Sequence, residues 1–332
     1  MRMTCHGSGN LTESRNATMS WTPGIASPTW NGLHKQVNSY QMHFDMKKYL
    51  AIASMALAIS LVSCGKNETA DSSYVLANSD LLPPVGKTHT VSSIMEMKDG
   101  TLNILMAGSE MSGSMNQTME SVETVEPLDA DKLRHIIVSE TDKGTMVMNG
   151  QEQPTPEKPN ALTGIPVIVE VHDGKVTASL EEGTPTAEQQ TALDKIRRNY
   201  ETNEDFVMYG DTPREPGDRW DVDASTLGDF AGGTDLSGTF TIEFKSVEEI
   251  DGEKRAMLQF VFDLVGKTPG EGDELRMDIT LKGKADVIRS INDLVDLDVK
   301  LEATMAVAGE PADGMSMSMN GVVIMHQTTE LK

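Results

Sequence analysis

The chain has 332 residues, of which 28 are lysine or arginine and 51 are aspartate or glutamate, for a formal net charge of −23. This charge repels nucleic acid and anionic lipid headgroups, which argues against a nucleic-acid partner. The two cysteines, Cys5 and Cys64, are too few for a disulfide framework or a cysteine-based metal site.

Residues 1–45 show no apolar period of 2 or 3.6 residues, although they contain Trp21 and Trp30. The segment that follows them has the charge and apolarity of a secretory signal, and such signals stand at the beginning of chains. We therefore interpret residues 1–45 as the product of a start codon assigned too early, with Met46 as the first residue. A genuine extension ahead of the signal is the alternative, and the segment is excluded from fold prediction.

The signal itself occupies residues 46–63. Lys47 and Lys48 precede an uncharged apolar run that extends to Val62. This run of about 14 residues is shorter than the roughly 20 that a membrane-spanning helix needs, which favours a signal peptide over a transmembrane anchor.

The end of the signal, Leu61-Val62-Ser63-Cys64, resembles the lipobox of bacterial lipoproteins. In that family the cysteine thiol receives a diacylglycerol, the chain is cut before the cysteine, and the new amine is acylated. The resemblance implies that Cys64 is lipidated and that the membrane is a partner through this anchor. Gly65 is not the aspartate that retains enterobacterial lipoproteins at the inner membrane, which implies the periplasmic side of the outer membrane.

Residues 64–84 are small and polar at their start, and we expect a flexible tether there. From Val85 the sequence becomes β-like, with β-branched and partly alternating stretches separated by Gly, Asp and Asn. Asp173-Gly174 and Asp251-Gly252 predict two hairpin turns. Gln151–Pro159, with its prolines, is expected to be a loop that crosses between strands.

One helix is predicted within the β-rich region. Thr184 can cap it, Pro185 suits its first position, and the following residues to Tyr200 contain no glycine or proline. Leu193, Ile196 and Tyr200 fall on one face, which is wide enough to dock on a sheet but not to build a helical domain.

The predicted fold is therefore mainly β, a curved antiparallel sheet of half-barrel or sandwich-like form with one docked α-helix over residues 85–332. A weak internal repeat supports two related halves, because Thr118–Glu123 resembles Ile242–Glu248.

Standard catalytic patterns are absent: the sequence has no P-loop, no Gly-x-Ser-x-Gly elbow and no His-Glu-x-x-His. The histidines of the β region are separated and are expected to be structural: His89, His135, His172 and His326. The carboxylates of Asp293–Asp298 are interpreted as a solvated strand face, and Asp221 with Asp223 lacks the rest of an EF-hand loop. We predict no enzyme activity, no cofactor and no metal.

Methionine is the unusual feature of the composition, with 22 residues. Met315, Met317 and Met319 alternate with period 2 and are expected to point to one sheet face. A second cluster contains Met111, Met115 and Met119. Thioethers select Cu(I), which is one interpretation, with His326 as the nearest additional ligand. The other is that they line an adaptable apolar surface.

Two further segments carry a resemblance: the turn Pro213–Trp220 and the hairpin Ser246–Gly252. With the lipobox and the methionine-rich strands, they resemble uncharacterised lipoproteins of domain-of-unknown-function class from Planctomycetes and Bacteroidetes. More loosely, the predicted sheet and helix resemble the LolA/LppX type of lipid-binding half barrel. Neither resemblance assigns functional residues.

The sequence thus predicts a membrane-tethered, non-enzymatic envelope lipoprotein that binds an apolar small molecule or lipid on a concave, methionine-lined face. The alternatives are a structural or interaction protein of the envelope without a small ligand and, third, a Cu(I)-binding protein. An apolar cavity would favour the first, and a filled core with an exposed apolar patch the second.

Overall fold

The computed structural model describes residues 72–154, 160–227, 234–268, 277–312 and 314–332. Residues 1–45, the signal peptide and Cys64 lie outside the described residues. The described part is mostly β and forms one open, curved antiparallel sheet of twelve strands. This confirms the predicted fold class. Of the two predicted forms, the structure has the single curved sheet and not the sandwich.

The strands run the length of the described chain: β1 (His89–Met106), β2 (Ser109–Asp129), β3 (Lys132–Met148), β4 (Gln151–Pro154), β5 (Val167–His172), β6 (Lys175–Leu180), β7 (Arg219–Asp221), β8 (Thr234–Ile250), β9 (Glu253–Lys267), β10 (Asp278–Ser290), β11 (Val295–Ala312) and β12 (Met315–Leu331). Their spatial order is β6-β5-β3-β2-β1-β12-β11-β10-β9-β8-β7, with β4 paired to β3 outside this path. The strand that begins the β domain therefore lies beside the strand that ends it.

The strands are longer than their sequence patterns predict, because apparent breaks are bulges. Strand β1 continues through Asp99-Gly100, where its register shifts against both neighbours. Gly100 is required there, since an added Cβ would lie 2.4 Å from the carbonyl oxygen of Met115. Such bulges bend a strand and increase its twist without ending the pairing.

The turns follow the backbone chemistry of their residues. Asp173-Gly174 and Asp251-Gly252 have positive φ at both positions, as type I′ hairpins require, so both predicted turns are confirmed. Asn149-Gly150 is a third turn of this kind, which the sequence analysis missed. As a result Gln151–Pro154 is a strand paired with β3, and the prediction of a loop over Gln151–Pro159 was wrong in this part. Residues 155–159 lie outside the described residues.

The helical segment consists of α1 (Ala187–Glu201) and α2 (Glu204–Tyr209). Its cap is Thr186, not the predicted Thr184, because Thr186 and Gln189 form a reciprocal capping box. Leu193 and Ile196 are buried against β5 and β6, as expected for a docked helix. Among the described residues, no helix has both the length and the apolarity to cross a membrane.

Residues 72–84 pack on the sheet domain, which corrects this part of the predicted flexible tether. Tyr74 exchanges two backbone hydrogen bonds with Arg214, at 2.7 and 2.8 Å. Leu76, Ala77 and Leu82 are buried. The polar composition at the start of the tether concealed these apolar residues near its end.

Candidate functional site

One face of the sheet carries the buried side chains, and we call it the inner face. Strand pairing assigns residues to it, since directly opposed residues share a face and alternate residues along a strand return to it. Met95 lies opposite Met119 of β2 and Met325 of β12, and all three are buried. These three opposed methionines show which side of the sheet each of the other predicted site residues faces.

The methionines of β12 reach the inner face together. Met315, Met317 and Met319 lie opposite three residues of β1: Met106, Ile104 and Leu102. Met317 and Met319 are buried and Met315 is half-buried. Their period-2 spacing therefore places them on one face, as the sequence analysis expected; a role in lining a ligand remains a prediction.

The second cluster reaches the same face from the other side of β1. Met111 and Met115 of β2 lie opposite Ile104 and Gly100, and Met119 lies opposite Met95. Met119 is buried, whereas Met111 and Met115 are half-buried. The next strand continues the surface, because Met146 of β3 lies opposite Met115.

Two methionine clusters that are far apart in sequence thus form one surface, which we call the methionine face. It consists of inner-face residues of β1, β2, β3 and β12: Met95, Met97, Met106, Met111, Met115, Met119, Met146, Met148, Met315, Met317, Met319 and Met325.

Glycines on neighbouring strands leave room for these side chains. An added Cβ at Gly113 would lie 2.5 Å from the Met148 sulfur, and one at Gly321 would lie 3.1 Å from Met97 Cγ. The methionine side chains therefore extend over the glycines of the neighbouring strands. Unbranched side chains packed in this way can change their conformation at low cost.

A row of polar side chains crosses the inner face beside the buried methionines. Glu140, Ser121, Ser93 and Gln327 are directly opposed in successive strands, and we call them the polar row. Ser93, Ser121 and Gln327 are buried. No described residue forms a hydrogen bond with the Ser93 hydroxyl, and the Glu140 carboxylate accepts from the Asn160 side-chain amide at 2.9 Å.

His135, Glu123 and Tyr200 form a further polar group, between the sheet and α1. His135 Nε2 lies 3.0 Å from a Glu123 carboxylate oxygen, and Tyr200 Oη lies 3.4 Å from His135 Nδ1. Burial raises the pKa of Tyr200, and the Glu123 charge raises it further. These contacts join α1 to β2 and β3.

The sequence analysis missed a buried charged cluster around Arg289. Arg289 of β10 is fully buried and donates to Asp296 at 2.5 Å, to Asp205 at 2.6 Å and to the Leu76 carbonyl at 2.7 Å. Its guanidinium also stacks over the ring of Tyr209 at 4.3 Å. Burial opposes the charge of Arg289, but Asp205 and Asp296 outweigh it and raise the pKa.

The interpretation of Asp293–Asp298 as a solvated face was therefore wrong for Asp296, which is nearly inaccessible. A signal was available in the sequence. Arg289 is two residues from Val287, and both would face the core of an alternating strand. A charged residue at a core position predicts a buried carboxylate partner.

No metal site is supported by the described residues, which contain no group of three His, Cys, Asp or Glu side chains able to hold an ion. His326, the predicted additional copper ligand, lies opposite Ile94 on the outer face, away from the methionines. Asp221 accepts from the Thr241 hydroxyl at 2.6 Å, while Asp223 caps a short 3₁₀ turn.

A shallow depression of about 470 Å³ lies on the opposite, outer face near the ends of β1 and β2. Its lining combines the polar residues Thr101, Asn103, Ser112 and Ser114 with Gly113, Val147 and Gly150. It is therefore distinct from the methionine face and does not have the character of an apolar ligand cavity.

No family model matches the chain, and no curated protein matches it. The chain is similar to a solved structure concerned with lipid–protein interactions in lipovitellin, with 11% identity and a TM-score of 0.37. That match covers 75% of this chain and 25% of the other, so the chain spans about a quarter of that protein.

Two bacterial structures are also similar. A DUF1329 family protein from Desulfovibrio piger shares 11% identity, with 69% of this chain and 83% of the other covered and a TM-score of 0.13. An outer membrane lipoprotein-sorting protein domain from Vibrio parahaemolyticus shares 11% identity, with 70% and 83% covered and a TM-score of 0.12. At TM-scores below 0.5 these likenesses carry no functional argument.

Proposed function

We propose that this protein is a lipid-anchored, non-enzymatic protein of the bacterial cell envelope that binds an apolar small molecule or lipid on its methionine face. The observation that carries the proposal is that two methionine clusters, from β2 and β12, lie on the same face of the sheet on either side of β1. Packing alone does not explain this choice, because leucine, isoleucine and valine would fill a fixed core with better-defined rotamers.

Methionine suits a surface that must accept an apolar partner of variable shape. Its unbranched, polarizable side chain repacks at low cost, and it is frequent on binding surfaces for this reason. Part of the face remains accessible, since Met106, Met111, Met115 and Met146 are only half-buried. Covering such surface contributes about 25 cal/mol per Å² of apolar area removed from water.

The interaction-protein alternative has weaker support. The outer face of the described sheet exposes several large apolar residues, among them Ile94, Leu105 and Val261. Ile94 and Leu105 are far apart along β1, and Val261 is on β9. Apolar residues exposed singly are normal on soluble domains and do not define a docking patch.

Fluorescence of the neutral apolar probe N-phenyl-1-naphthylamine tests the proposal. The full chain carrying Cys64→Ala, purified without detergent, should bind the probe and enhance its emission. Met111→Glu and Met115→Glu should each weaken binding by about tenfold or more, because they place a charge on the half-buried part of the face.

The matched controls are Ser112→Glu and Ser114→Glu, which add the same charge on the same strand but on the outer face. They should leave probe affinity unchanged. Equal weakening by both pairs of variants, or no saturable binding by the parent protein, would contradict the methionine face as the ligand site.

The anchor is tested separately by the intact mass of protein extracted from bacterial membranes. We expect a chain that begins at Cys64 and carries diacylglycerol and an amide-linked acyl group. Cys64→Ala should leave an uncleaved chain without these groups. Cleavage at another position in the presence of Cys64 would refute the anchor without bearing on the methionine face.

A further inference from the structure

The methionine face has two parts that differ in their access to solvent. Met95, Met119 and Met325 are directly opposed in neighbouring strands and are at most 3% exposed. Toward the end of the sheet that contains the β1–β2 turn, the inner-face methionines are half-buried: Met106, Met111, Met115, Met146, Met148 and Met315. Small solutes can therefore reach the second group of methionines but not the first.

Four of the half-buried methionines surround one glycine. Met111 and Met115 lie two residues before and two residues after Gly113, on the same face of β2. Met148 lies opposite Gly113, and its sulfur is 2.5 Å from the place where a Cβ of this glycine would be. Met146 lies opposite Met115. We call these four methionines the Gly113 cluster. A change of polarity at one of them alters the surroundings of the others.

The chemistry open to such a cluster is oxidation of its sulfur atoms. The described residues contain no cysteine, so no thiol among them competes for an oxidant. Hydrogen peroxide transfers one oxygen atom to a thioether: the O–O bond breaks, an S–O bond forms, the sulfur loses two electrons, and the second oxygen leaves as water. The sulfoxide that results is polar and disrupts apolar surfaces built from methionine. Methionine sulfoxide reductases reverse the reaction, since two thiols become a disulfide and the sulfoxide oxygen leaves as water.

We propose that the Gly113 cluster is a reversible oxidation site. Hydrogen peroxide converts its methionines to sulfoxides, which releases the apolar ligand, and methionine sulfoxide reductases restore binding. The release of a ligand rests on the proposed function, whereas the modification site does not. The proposed location in the cell envelope lies outside the reducing cytosol. The fold persists through oxidation, because the buried methionines and the phenylalanines of β8 and β9 are shielded from solvent.

Mass spectrometry that resolves each methionine tests the modification. The full chain carrying Cys64→Ala is treated with hydrogen peroxide, and the gain of oxygen at each methionine is followed over time. The Gly113 cluster should be oxidised at least about tenfold faster than Met95, Met119 and Met325, since buried sulfur reacts only when the structure opens locally. Equal rates, or no sulfoxide in the cluster, would overturn the site.

The affinity for N-phenyl-1-naphthylamine, measured before and after treatment, tests the release. Oxidised protein should bind the probe about tenfold or more weakly. Methionine sulfoxide reductases A and B with dithiothreitol should restore the affinity, and the urea midpoint should stay nearly constant throughout. Unchanged affinity after oxidation, or a loss that reduction does not reverse, would overturn the switch. A loss of affinity that accompanies a loss of fold would do the same, because it would show general damage.

Leucine variants locate the effect. Replacing all four methionines of the Gly113 cluster by leucine removes the oxidisable sulfur, so the probe affinity of this variant, whatever its starting value, should change less than about twofold on treatment. Met257→Leu is the control, because Met257 is also half-buried but lies on the outer face of β9. It should lose affinity on treatment as the parent does.

The remaining outcomes separate this inference from the proposed function. An equal loss of affinity in the leucine variant and the parent would overturn the Gly113 cluster as the site of the switch. Absence of probe binding before any treatment would refute the proposed function and with it the release of a ligand. The oxidation rates would still decide the modification site, because they are measured without a ligand.

Discussion

The inner face of this sheet is built in two different ways. Strands β8 and β9 contribute phenylalanines, with Phe240 stacked on Phe262 at 5.9 Å and tilted against Phe260 at 5.5 Å. All three are fully buried. Strands β1, β2, β3 and β12 contain no phenylalanine, tyrosine or tryptophan, and present methionines instead. We refer to these regions as the aromatic half and the methionine half.

The aromatic half is closed by neighbouring segments. Tyr209 of α2 contacts Phe260 with ring centroids 6.1 Å apart, and Trp220 donates its indole N–H to the Met208 carbonyl at 2.9 Å. Arg289 joins this helix to β10, β11 and the chain that precedes β1. Rigid rings and charge-assisted hydrogen bonds of this kind favour one arrangement.

Within the described residues, the methionine half shows no such network at its accessible end, where Met111, Met115 and Met146 are half-buried. The two halves of one sheet therefore differ in how firmly their inner-face side chains are held. In the proposed function, aromatic packing supplies a fixed frame, and the adjacent flexible side chains adapt to the ligand.

The largest effect is expected from Arg289→Met. The substitution leaves Asp296 buried without its charge partner, which should lower the free energy of unfolding by about 3–5 kcal/mol. Lys282→Gln removes the exposed pair with Asp263 and should change it by less than about 1 kcal/mol. Urea denaturation of both variants measures the difference. Similar stabilities would remove the distinction between a fixed and an adaptable half.

The methionine half should tolerate a change of shape. Replacing Met315, Met317 and Met319 together by leucine preserves volume and apolarity, and should cost less than about 1.5 kcal/mol per residue. Met317→Asp should instead be severely destabilising, because it buries an unpaired charge. Thermal melting measures the stability of these variants. Anaerobic titration of the leucine variant and its parent with Cu(I) tests whether the methionines bind copper. Tight parental Cu(I) binding that the leucines abolish would replace the apolar-ligand account.

A smaller effect concerns pH and the buried end of β1. Burial lowers the pKa of His89, more than Asp293 raises it. The unfolded histidine, with a pKa of about 6.5, therefore binds a proton more readily than the folded one. Stability should be constant above about pH 6.5 and decrease as the pH falls below it. Urea midpoints at about pH 7.5 and 5.5 should differ less in His89→Gln than in the parent protein; an equal difference would exclude His89 as the cause.

The sequence was informative where one physical rule decides. Asp-Gly turns require positive φ, and period-2 methionines must share a face, so the hairpins at Asp173 and Asp251 and the alignment of Met315, Met317 and Met319 were predictable. The ends of the strands were harder to predict, because in the sequence a bulge such as that at Gly100 looks like the end of a strand.

Contacts between distant segments could not be predicted from local pattern. The meeting of Met115 with β1 and Met146 depends on strand order, and pairing of the first long strand with the last follows from no local signal. Arg289 joins residues that are 84 and 213 positions away in sequence. For the same reason the polar row was not anticipated: serines scattered along separate strands acquire a shared position only through register.

The central claim, that the methionine half receives an apolar ligand, is tested most directly by methyl NMR. The full chain with Cys64→Ala, labelled at the methionine methyl groups, is titrated with dodecanol. The account predicts shifts for Met111, Met115, Met317 and Met319. It predicts none for two internal controls: Met208, buried in α2, and Met257, which lies between inner-face residues of β9 and faces the other side of the sheet. Shifts at Met208 or Met257 alone, or no shift at any methionine, would contradict it.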